Sequence, residues 1–103
     1  MSRATIVVPN VFRQVSAAKD ARARSQVELL GAALDAYRLD TDRYPTTEQG
    51  LGALWNAPAS EPPAPAWRGP YLRKEVPLDP WQHPYVYRSP GQQSRGGYDL
   101  LSR

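Results

Sequence analysis

The sequence predicts an α+β fold, with one long N-terminal α-helix packed on a small antiparallel β-sheet and a short second helix and a proline-rich loop in between. Three observations predict it. From Asn10 to Leu39 the residues Val11, Val15, Ala18, Val27, Leu30, Leu34 and Tyr37 recur mostly at steps of three or four, the period of one helix face. Prolines at 58, 62, 63, 65 and 70 exclude regular helix and central strand from residues 57–70. Tyr85-Val86-Tyr87-Arg88 and Tyr98-Asp99-Leu100-Leu101 alternate aromatic or aliphatic residues with others, and Ser89-Pro90-Gly91 and Gly96-Gly97 supply turn chemistry between them.

At 103 residues the chain suits one small domain, which buries only about two thirds of its unfolded surface. Residues 1–5 read as an unstructured or added start, and 6–103 as a single globular domain that includes the C-terminal part of the long helix. Ala4-Thr5-Ile6-Val7-Val8 is an apolar tail with a blunt start, as if the chain began just past a membrane segment. No stretch reaches the roughly 18 apolar residues that a membrane span needs. There is no cysteine, so disulfides and thiolate chemistry are excluded. The net charge of +3 arises from 13 basic residues scattered among 10 acidic ones, which argues against a nucleic-acid footprint.

On the helix, Lys19, Asp20, Arg22, Arg24, Glu28, Asp35 and Arg38 occupy much of the non-apolar surface. Asp20 and Arg24, four apart, can pair for about 0.2–0.5 kcal/mol. The pattern serves solubility and subunit contact equally well. Up to about Ala23 the apolar stripe is too thin for a core of its own, and Ala17, Ala18, Ala21 and Ala23 allow close approach by another helix. Val11, Val15, Ala18, Lys19, Asp20, Arg22 and Arg24 therefore form the candidate subunit-interface helix.

Pro45 pushes Tyr44 out of helical geometry, so the long helix stops at or before that point. Thr46 with Gln49 three places on has the spacing of a capping box. It is expected to open a short helix from about Thr47 to Asn56, with Leu51, Leu54 and Trp55 on its buried side and Gly50 and Gly52 weakening it. The proline-rich segment is expected to lie across the surface, anchored by Trp55, Trp67 and Tyr71. The two C-terminal strands should pair as a hairpin, with Tyr85, Tyr87 and Tyr98 supplying bulk against the helix. Two strands alone are marginal in water, so the helix must complete the core or a third strand is missing.

Catalytic chemistry is not evident. His83 is the single histidine, set in a turn-rich connector. Asp40 and Asp42 begin like a calcium loop, but the later glycine and terminal acid of an EF-hand are absent, and they read as helix-ending residues. No phosphate loop or nucleophile elbow occurs. The residues alone thus predict an interaction module and not an enzyme.

Several motifs resemble one family. Leu39-Asp40, Arg43-Tyr44-Pro45 and the run Thr46 through Leu54 match the "RYPTTEQGL" signature of the major pseudopilins of bacterial type II secretion. Leu78-Asp79-Pro80-Trp81-Gln82-His83-Pro84-Tyr85 resembles their "DPWG.PY" segment, Tyr71-Leu72-Arg73 their "GYL" element, and Ser89-Pro90-Gly91 their "SPG" turn. Tyr44, Pro45, Thr46, Thr47, Gln49, Gly50, Leu51, Tyr71, Asp79, Pro80, Trp81 and Tyr85 carry the resemblance as structural-motif residues. Gln82 stands where the family has glycine, a departure that bears on the turn, because glycine there would favour a positive φ. Asp79 before Pro80 favours a turn that its carboxylate can cap, and the Trp81 ring is expected to be buried and to pin the connector.

The resemblance implies a pilin-like fold and a structural subunit of the periplasmic pseudopilus, a helical fibre that drives folded exoproteins across the outer membrane. It implies self-association, contacts with other pseudopilins and the inner-membrane secretion machinery, and a membrane link through a hydrophobic helix ahead of Val7-Val8-Pro9. It also implies calcium in an acidic loop beyond Ser102, where this chain supplies no metal ligand. Other readings are a type IV pilin, a minor pseudopilin, a small basic nucleic-acid adaptor acting through Arg13, Lys19, Arg22 and Arg24, or an enzyme using His83 with Asp79 or Asp99.

Overall fold

The computed structural model describes residues 3–92 and 97–102, with side chains of the first helix from Gln14 onward. Helix α1 spans Arg3–Thr41. At about 1.5 Å per residue it is roughly 58 Å long, which accounts for most of the 66 Å longest dimension. It is longer at both ends than the predicted Asn10 to Leu39, and it starts inside the stretch expected to precede the domain. Its buried face is Ala23, Leu30, Ala33, Leu34 and Tyr37, with Val27 packed alongside.

The end of α1 follows from local chemistry. Asp42 takes a left-handed φ of 68°, and its N–H donates to the Arg38 carbonyl at 2.7 Å. Thr41 Oγ1 donates back to the Tyr37 carbonyl at 2.8 Å. These bonds satisfy carbonyls that the last helical turn would leave open. Pro45 is buried just beyond.

The capping box forms, but the helix predicted over Thr47–Asn56 does not. The Gln49 N–H donates to Thr46 Oγ1 at 3.1 Å, and the Thr46 N–H donates to Gln49 Oε1 at 3.0 Å. Gly50 then adopts φ 64° and ψ −171°, which no continuing helix allows, and only Leu51–Leu54 winds into a short 3-10 helix. Leu51, Ala53 and Leu54 drop into the core. Trp55, expected to be buried, is half-exposed and lies outside the core cluster, because the tight 3-10 turn places Ala53 inward instead.

Residues 57–70 are irregular, with cis bonds at Glu61-Pro62 and Gly69-Pro70 and, further on, at Ser89-Pro90. The segment is tied down from both sides. Gln49 Nε2 donates to the carbonyls of Ser60 at 3.0 Å and Pro62 at 2.7 Å. Trp67 Nε1 donates to the Ala53 carbonyl at 2.7 Å, and the Tyr71 N–H to the Leu54 carbonyl at 2.8 Å. Trp67 and Tyr71 thus anchor the segment, whereas Trp55 makes no hydrogen bond to it.

Strands β1, Val86–Arg88, and β2, Asp99–Leu101, pair antiparallel with Tyr87 opposite Leu100. Tyr85 and Tyr87 complete a core shared with Leu30, Ala33, Leu34, Tyr37, Leu51, Ala53 and Leu54. Edge-to-face contacts of Tyr37 and of Trp67 with Tyr71, each at 5.8 Å, and of Tyr44 with Tyr98 at 4.9 Å, bind the helix, loop and hairpin together.

Candidate functional site

The domain packs on only part of α1. Buried positions begin at Ala23 among the residues whose side chains are described, and upstream of it Val15, Ala18, Asp20 and Arg22 are exposed while Lys19 is half-buried. Arg24 is also exposed. Val11 lies in the helix, with its side chain outside the described residues. The predicted interface residues therefore share a projecting segment. Val15, half-exposed at 49%, is an apolar side chain that the domain leaves uncovered.

The motif residues do a different job, since they fix the domain's irregular parts. Tyr44 donates its hydroxyl to Asp35 Oδ1 at 2.9 Å, and the Arg38 guanidinium lies 5.1 Å above its ring. The Pro45 carbonyl accepts from the Tyr87 hydroxyl at 2.6 Å. Thr47 Oγ1 accepts the Ser89 N–H at 2.9 Å, clamping the turn after α1 to the hairpin. The Tyr71 hydroxyl donates to Asp40 Oδ2 at 2.7 Å while accepting the Arg68 N–H at 2.9 Å. Asp40 is thus a tether for the loop as well as a residue near the helix end. Tyr85 donates its hydroxyl to Gln26 on α1.

Asp79 is the polar hub, with only 1% of its surface exposed. Its Oδ1 accepts the N–H groups of Trp81 at 2.9 Å and His83 at 2.8 Å, and its Oδ2 accepts the Ser102 hydroxyl at 2.9 Å. Backbone bonds from Gln82 N–H to the Asp79 carbonyl, 2.9 Å, and from Asp79 N–H to the His83 carbonyl, 2.8 Å, close the turn. Gln82 holds φ 69°, the left-handed geometry that glycine adopts at less cost. The Trp81 ring, expected to be buried, is half-exposed. It lines an open cleft with Asp20, Ala23, Arg24, His83 and Ser102. The turn is held by the Asp79 carboxylate, which leaves the indole beside the projecting helix rather than in the core.

Burial is the leading reason that the hydroxyls of Tyr37, Tyr71, Tyr85, Tyr87 and Tyr98 titrate above the ordinary tyrosine range. The Asp79 charge adds to the effect at Tyr85, and the Asp35 charge at Tyr98. Asp79 is saturated with structural donors. Among the described residues no group of three or more His, Asp or Glu is placed to hold a metal ion, and no helix is long and apolar enough to cross a membrane.

Residues 10–103 match the family model described as type II secretion system protein G. The chain is 40% identical to the type II secretion system core protein G of Pseudomonas aeruginosa over 99 residues, covering 96% of this chain and 68% of that one. It is 46% identical to the core protein G of Aeromonas hydrophila with the same coverage. The crystal structure of the major pseudopilin from the type 2 secretion system of enterohaemorrhagic Escherichia coli superposes with a TM-score of 0.80 at 40% identity, covering 91% of this chain and 81% of that one. With the family model spanning nearly the whole chain, and with a long helix on a two-stranded sheet that matches a solved major pseudopilin, the chain belongs to the type II secretion system protein G family.

Proposed function

We propose that the chain is the periplasmic portion of a major pseudopilin, a non-catalytic subunit that polymerises into the type II secretion pseudopilus and drives folded exoproteins through the outer membrane. One observation carries the reading: α1 serves two roles along a single rod. From Ala23 onward one face completes the domain core, while the segment before it leaves Val15, Ala18, Asp20 and Arg22 exposed. A helix of that kind leaves a face free for a partner outside its own domain. In a fibre the partner is another copy, flanked by other pseudopilins and fed from the inner-membrane machinery.

Complementation tests it. The protein, joined to a family membrane segment, is expressed in a type II secretion strain lacking its major pseudopilin, and exoprotein release and surface fibres are assayed. Restored secretion, or long fibres on overexpression, is expected. A stable, correctly processed protein that gives neither would overturn the assignment.

A further inference from the structure

We draw no further inference here: the strongest candidate, the open cleft between α1 and the 79–83 turn lined by Asp20, Ala23, Arg24, Trp81, His83 and Ser102, carries nothing, because nothing in the structure shows what covers it.

Discussion

Replacing Asp79 by alanine removes the acceptor that closes the 79–83 turn and ties it to the residue after β2. Two backbone N–H groups, those of Trp81 and His83, and the Ser102 hydroxyl lose their partner at once. A hydrogen bond to a charged acceptor is worth about 1.5–3 kcal/mol, so three would sum to roughly 4.5–9 kcal/mol if strictly additive. The sum overshoots. All three bonds are only part-buried, so water can reach the abandoned donors, and the variant no longer holds a carboxylate out of solvent. The expected loss is about 3 kcal/mol, and at about 4–8 °C per kcal/mol the midpoint falls by roughly 12–24 °C. Asp79→Asn keeps an oxygen for the two amides and should lose about half as much. Urea melts followed by tryptophan fluorescence measure both, with an unchanged m-value confirming that stability alone has moved. A loss for Asp79→Ala under about 1 kcal/mol, ordinary for a surface position, would refute the hub.

Gln82→Gly should stabilise the domain by about 0.5–1 kcal/mol, because relieving a left-handed non-glycine residue returns about 1–2 kcal/mol and the freer unfolded chain takes back part of it; a destabilised variant in the same melts would show that the φ of 69° is not strained. Gly69→Ala should cost about 1–3 kcal/mol, since its Cβ would stand 2.8 Å from both the Trp67 and Tyr71 rings that anchor the loop; thermal melts matching those of the unaltered protein would contradict that packing. Alkaline pH should also destabilise the domain. Burial on folding raises the pKa values of Tyr37, Tyr71, Tyr85, Tyr87 and Tyr98 above the ordinary tyrosine value of about 10. The stability they contribute is therefore fully present below pH 10 and is lost above it, as the unfolded chain releases protons that the folded chain keeps. Each contributes a slope approaching about 1.4 kcal/mol per pH unit between its unfolded and folded values. Urea melts from pH 8 to 11 that stay flat would disprove it.

The sequence made the ends of elements more legible than their partners. Tyr44-Pro45 marks where α1 must stop, and the Thr46 and Gln49 spacing announces two bonds that form as expected. Each depends on neighbours within a few residues. The helix expected after the cap fails because Gly50 takes a positive φ, a choice made by the core that Leu51, Ala53 and Leu54 enter and not by local propensity. The turn at Asp79 was legible, including the strain at Gln82. Its anchor was misplaced: a tryptophan in a connector reads as a buried ring, whereas the carboxylate is buried and the ring half-exposed. Asp79 with Ser102, Gln49 with Ser60 and Pro62, and Tyr71 with Asp40 join residues far apart in the chain. No periodicity or motif encodes such pairs, because they exist only once the core has set their distances. The projecting segment was legible as a thin, alanine-rich stripe.

Helix α1 passes from its projecting segment into the core without a joint. Past Pro9 its hydrogen-bonded turns resist twisting and bending alike, and Leu30, Leu34 and Tyr37 lock its inner face to the rest of the domain. A rotation or thrust applied to the projecting end is therefore delivered to the domain as rigid-body motion, with little lost to slack along the way. The helix acts as a drive shaft with its head fixed in place: whatever turns or lifts its exposed segment also sets the height and bearing of the domain surface at its far end.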